Sequence, residues 1–165
     1  MATTHLRGNE VHTVGELPEV GTTAPSFTLT GGDVVDFTSA DLSGSRVVLN
    51  IFPSIETGVC SASVRRFNEL AAGLDNTRVV CVSVDLPFTL AKFCGAEGID
   101  NVTVGSAFRS SFGTDYGVTI ADEAWRGLLA RSVVVYDTDG TVLHTEVVDD
   151  IGHEPDYDAA VAALG

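Results

Sequence analysis

Three cysteines, Cys60, Cys81 and Cys94, are the residues of this chain best suited to chemistry. An odd number at such wide spacing does not make the disulfide framework of a small secreted domain, so their roles must differ. Cys60 follows the apolar run RVVLNIF after a short loop, PSIETG, and opens a segment of helical periodicity. Free N–H groups and the positive dipole end at a helix start favour a thiolate, which is the nucleophilic form of cysteine. Thr57, three residues earlier, can aim its hydroxyl at the same sulfur pocket, and Pro53 removes a backbone donor and restricts solvent beside it. The spacing is P-x-x-x-T-x-x-C.

Cys94 stands in KFCGAEG, near the end of a second helix. There is no C-x-x-C, which argues against a disulfide reductase whose two sulfurs share one helix turn and favours a second thiol supplied by another helix. Cys81 alternates with valines in VVCVSV and reads as a small core hydrophobe. By spacing alone Arg131 reads as a surface charge at a strand start. His5, His12, His144 and His153 have no metal-ligand spacing, and His5 and His12 are expected to face solvent. The glycine pairs Gly31-Gly32 and Gly95-x-x-Gly98 lack the context of a nucleotide loop.

The elements that must position these residues follow from hydrophobic patterning. HLRGNEVHTV, with a glycine turn at Gly8-Asn9, reads as a small N-terminal β-hairpin, and residues 15–26 as an extended loop. Short strands are expected near 27–30 and 34–37. Runs rich in β-branched residues at 46–52, 77–84 and 131–137 suit strands covered on both faces. Between the first two, Val59, Ala62, Val64, Phe67, Leu70, Ala71 and Leu74 follow a 3.6-residue repeat, giving a helix that ends near Gly73 and hence a βαβ unit. Pro87 opens a second helix ending near Gly95, NVTVGS is a short strand, and SAFRSSFGTDYG a short helix and loop. DTDG joins strands 132–137 and 141–148 in a hairpin, so the sheet is mixed. A last helix has Pro155 in its first turn and Tyr157, Val161 and Leu164 on one face.

The 165 residues, spanning 1–165, fit one domain with enough apolar surface to fold alone. Nine basic against 23 acidic residues leave a formal charge of −14, which opposes binding to nucleic acid or to anionic membrane surfaces. The strongly solvated acidic surface suits a salt-rich cytoplasm or a compositionally biased genome. No stretch approaches the roughly 20 apolar residues of a membrane span, and the N-terminus has no apolar leader, so a cytoplasmic location is expected.

Taken together, NIFPSIETGVC, VVCVSVDLPF, KFCGAEG and ARSVVVYD closely resemble the thiol peroxidase branch of the peroxiredoxins, the atypical 2-Cys type, over nearly the whole chain. The resemblance implies a thioredoxin-like α/β fold: a central mixed β-sheet flanked by helices, with an N-terminal β-hairpin. It implies a peroxidase that reduces hydrogen peroxide and organic hydroperoxides. Cys60 matches the peroxidatic cysteine that becomes a sulfenic acid, Pro53 and Thr57 match its loop, and Arg131 matches the arginine beside thiolate and peroxide. Cys94 matches the resolving cysteine, which forms an intramolecular disulfide with Cys60 that a thioredoxin-like reductant reopens. Sulfur carries the electrons, so no metal, haem, flavin or nicotinamide is implied. A homodimer is implied, with Phe112, Tyr116 and Trp125 candidates for its interface or for an apolar substrate collar, alongside plain core packing. The same chemistry would serve a peroxide sensor that relays its disulfide to a regulatory partner.

Overall fold

The computed structural model describes residues 1–165. Its framework is a seven-stranded sheet of β3 (Thr28–Gly31), β4 (Asp36–Thr38), β5 (Arg46–Ile51), β6 (Thr77–Ser83), β7 (Thr103–Ser106), β8 (Ser132–Tyr136) and β9 (Val142–Val147), in the order β4-β3-β7-β6-β5-β8-β9. β5, β6 and β7 run parallel, while the remaining pairs are antiparallel, which is the expected mixed sheet. β1 (Thr3–Leu6) and β2 (Asn9–His12) form the separate N-terminal hairpin. Its turn lies on Arg7 and Gly8, both at positive φ, because Asn9 already pairs with Leu6.

Period-two alternation divides the central strands between two cores. Val47, Leu49, Ile51, Val80, Val82 and Val134 face one layer with Phe27, Phe112 and Tyr116. Val48, Val79, Cys81, Val133 and Val135 face the other, against α1 (Gly58–Ala71), α2 (Pro87–Glu97) and α4 (Tyr157–Ala162). The near-continuous apolar runs are therefore double-sided strands, as their composition implies. α3 (Phe112–Asp115) is a single turn on the first face, and a short 3-10 turn at Ser39–Leu42, not expected from sequence, adds Leu42 there.

Boundaries move where capping decides them. α2 runs through Gly95 and stops at Gly98, whose φ of 65° gives a left-handed cap that lets the N–H groups of Gly98 and Ile99 reach the Cys94 carbonyl. Pro155 precedes α4 rather than entering its first turn. Asp156 is the N-cap and accepts from the Ala159 N–H at 3.0 Å. The buried residue of α4 is Ala160, flanked by Tyr157, whose ring meets Phe67 edge-on at 5.1 Å. On α1 the inward positions are Cys60, Ser63, Val64 and Phe67; Val59 is only partly covered.

Candidate active site

α1 begins where β5 leaves the sheet. Phe52, Pro53 and Ile55 are buried in the connecting loop, and Thr57 is the N-cap, extended at φ −93° and ψ 145°. Cys60 is thus the third helical residue, inside the first turn, where backbone N–H groups have no helical acceptors. Its sulfur is fully buried and accepts a hydrogen bond from Arg131 Nη2 at 3.2 Å.

Arg131 is itself 1 % exposed, so the surface-charge reading from spacing is overturned. It stands at the mouth of β8, beside the end of β5 from which the loop to α1 leaves. Its Nε donates to the Ile151 carbonyl at 2.9 Å, whereas Nη1 is buried with no partner in the protein. A buried donor without an acceptor is costly unless something polar completes it. Arg131 also lines a cavity of about 340 Å³ with Thr57, Gly58, Val59, Leu6, Trp125 and Ile151. A small oxygen-rich ligand entering there would reach the Arg131 side chain beside the sulfur.

The N-terminal hairpin helps build this wall. Thr4 Oγ1 donates to the Val148 carbonyl at 2.7 Å, and the Ile151 N–H donates to the His5 carbonyl at 2.8 Å. Ile151 therefore binds the hairpin with its N–H and Arg131 with its carbonyl. Nothing local marks Ile151 or Leu6 as parts of the site, since they arrive from opposite ends of the chain.

The other expected residues sort as follows. The Thr57 hydroxyl lines the cavity but donates to the Ser54 carbonyl at 3.1 Å rather than to the sulfur. Cys94 lies half-buried in the last turns of α2, and no α2 residue, nor Cys60 itself, lines the cavity beside Arg131. Burial pushes the Cys94 thiol up. Cys81 is wholly buried, receives Asn50 Nδ2 at 3.6 Å, and burial pushes its thiol up to about 12, which keeps it protonated at neutral pH. Trp125 belongs to the cavity, whereas Phe112 and Tyr116 are core residues stacked at 4.5 Å, with the Tyr116 hydroxyl donating to Pro25 O. His12 is not a free surface group; it is held between Asp122 at 2.7 Å and Glu10 at 2.9 Å. All three thiols are free.

A buried cysteine at a helix start, an arginine on its sulfur and an adjoining cavity, set at the edge of a mixed α/β sheet, define a thioredoxin-like redoxin. In agreement, the Redoxin family profile matches residues 19–161. The chain is 56 % identical to a thiol peroxidase of Corynebacterium glutamicum over 164 residues, covering 99 % of each. It is 59 % identical to one of Mycobacterium tuberculosis over 165 residues, covering 100 % of this chain and 99 % of that protein. A peroxiredoxin-like protein of Aquifex aeolicus superposes with a TM-score of 0.93 at 37 % identity, covering 98 % of this chain and 95 % of that one. The chain belongs to the thiol peroxidase family of peroxiredoxins.

Proposed function

We propose that this thiol peroxidase reduces hydrogen peroxide and organic hydroperoxides through Cys60 and Cys94, acting as one domain over residues 1–165. The observation that carries this reading is the Arg131–Cys60 contact beside a cavity that Arg131 lines, with Arg131 Nη1 left without a partner in the protein. The Cys60 thiolate attacks one peroxide oxygen and the O–O bond breaks. The departing oxygen takes a proton and leaves as water or alcohol, and Cys60 becomes a sulfenic acid. Arg131 steadies the thiolate through Nη2 and the negative charge growing on oxygen through Nη1. Thr57 exchanges the Ser54 carbonyl for the peroxide, and Pro53 keeps the loop buried and dry. Leu6, Val59, Trp125 and Ile151 give the cavity an apolar side, which suits hydroperoxides with apolar substituents.

In the second step the Cys94 thiol attacks the Cys60 sulfenic sulfur, forming an intramolecular disulfide and releasing water. A disulfide needs Cα atoms about 4.4–6.8 Å apart. Cys60 is fully buried under Arg131 and Cys94 is half-buried on another helix, so the first turn of α1 and the end of α2 unwind to make the bond. A thioredoxin-like dithiol then reduces it. Three free thiols suit the reducing cytoplasm, and we place the protein there as a homodimer. No helix is long and apolar enough to cross a membrane.

The test is turnover with thioredoxin, its reductase and either hydrogen peroxide or a bulky alkyl hydroperoxide, followed by mass spectrometry of non-reduced peptides. Steady turnover and a Cys60–Cys94 peptide are expected. Only chain-to-chain bonds, or a bond through Cys81, would overturn the scheme.

A further inference from the structure

The loop that presents Cys60 is held by a carboxylate far from it in sequence. Asp85 sits between β6 and α2. Its Oδ1 accepts from Ser54 Oγ at 2.7 Å, and its Oδ2 accepts from the Ile55 N–H at 2.7 Å and from Ser83 Oγ at 2.6 Å. The Asp85 backbone is itself fastened, because its N–H donates to Ser83 Oγ and its carbonyl accepts from Ser106 Oγ. Ser83 and Ser106 are fully buried at the ends of β6 and β7, so the carboxylate is set on the rigid part of the sheet.

Ser54 carries this anchor toward the sulfur. Its Oγ also accepts from the Glu56 N–H, and its carbonyl accepts both the Thr57 N–H and the Thr57 hydroxyl. Thr57 is the N-cap of α1, and its carbonyl takes the Ser61 N–H to start the helix around Cys60. A continuous set of hydrogen bonds therefore runs from Asp85 through Ser54 to the cap of the helix turn holding the sulfur. No cation lies within ion-pair distance of Asp85, so two serine hydroxyls and one backbone N–H are what satisfy its carboxylate.

We propose that Asp85 is a positioning residue for peroxide reduction, fixing the 54–57 turn so that Cys60 meets Arg131 and the substrate in reactive geometry. This rests on Cys60 being the nucleophile. Charge-assisted bonds are about twice as strong as neutral ones, and misplacing reacting groups by about 1 Å can cost on the order of 100-fold. The consequence belongs to the peroxide step, because recycling by the reductant acts on an already unwound loop.

The experiment compares Asp85→Ala, Asp85→Asn and Ser54→Ala with the unaltered protein and with Cys60→Ser. Steady-state rates give kcat/KM for the hydroperoxide and kcat at saturating peroxide. Thermal unfolding and titration of the reactive thiol give the folded, active fraction. Asp85→Ala should lower kcat/KM about 30-fold or more while changing kcat less than about twofold. Asp85→Asn, which keeps one acceptor oxygen, should fall between. Ser54→Ala should lose about fivefold and serves as the measure if Asp85→Ala does not fold. Asp41→Ala, which breaks the cap of the remote 3-10 turn, is the control for destabilisation alone and should leave kcat/KM unchanged. Unchanged kcat/KM in Asp85→Ala, or a loss matching its loss of titratable thiol, would overturn the proposal. Activity surviving in Cys60→Ser would instead overturn the assignment of the nucleophile.

Discussion

Arg131 Nη2 lies 3.2 Å from Cys60 Sγ, and neither residue is accessible to solvent beyond 1 %. In water such a contact would be weak, but burial strengthens it and gives it one geometry. Replacing Arg131 by Met keeps much of the stem and removes the charge and both donors. Peroxide reduction should fall about 100-fold or more, and alkylation of Cys60 at neutral pH should slow. An alkylation profile across pH that superimposes on the unaltered protein would count against the role given to Arg131.

Cys60→Ser should abolish turnover while the fold survives, since a hydroxyl fits the buried site but is a poor nucleophile toward peroxide. Cys94→Ser should consume one equivalent of peroxide and stop, leaving a sulfenic acid that dimedone labels on Cys60. Multiple turnovers in Cys94→Ser with thioredoxin would remove Cys94 from the cycle.

Cys81 shares a core face with Cys60, yet its buried, protonated thiol contributes packing. Cys81→Ala should retain most activity and lose about 1–2 kcal/mol of stability by leaving a small cavity. Denaturant unfolding checks the second outcome, and the peroxidase assay the first.

The proposed Cys60–Cys94 disulfide would require undoing the ties between α1 and the end of α2. Arg65 on α1 pairs with Glu97 at the end of α2 at 2.9 Å, its guanidinium lies over the Phe93 ring, and Asn68 accepts from the Asn101 N–H at 2.8 Å. Exposed ion pairs contribute about 0.2–1 kcal/mol, so Glu97→Gln should speed Cys60–Cys94 bond formation by no more than about fivefold. Oxidised protein should show faster amide exchange at 58–62 and 88–98 than reduced protein. Unaltered exchange in both segments would contradict local unwinding.

His12 links the hairpin to Asp122, and its pKa is raised first by the Asp122 hydrogen bond and then by Glu10. The folded state therefore holds the proton more tightly than the unfolded chain. The contribution is complete below the unfolded value near 6.5 and is lost as pH rises through the raised folded value. His12→Gln should lower the unfolding temperature more at pH 5.5 than at pH 8.5. An equal difference at both would mean that His12 acts through packing alone.

Sequence patterning determined the strands, α1 and the strand–helix context of Cys60, because double-sided apolar runs and a helical repeat are local signals. The motif spacing placed Pro53, Thr57 and Cys60 on one loop and helix start for the same reason. End points set by capping were less legible: Gly98 rather than Gly95 stops α2, and Asp156 rather than Pro155 begins α4, since several nearby residues could each have served. What only the tertiary structure decided is the meeting of distant groups. Arg131, read from spacing as a surface charge, is buried against Cys60 because β8 pairs with β5 in the register Ile51↔Ser132, bringing the start of one strand to the end of the other. Ile151, Leu6 and Asp85 join the site through β-hairpin docking and the order β7-β6-β5, which are long-range pairings that no local periodicity encodes.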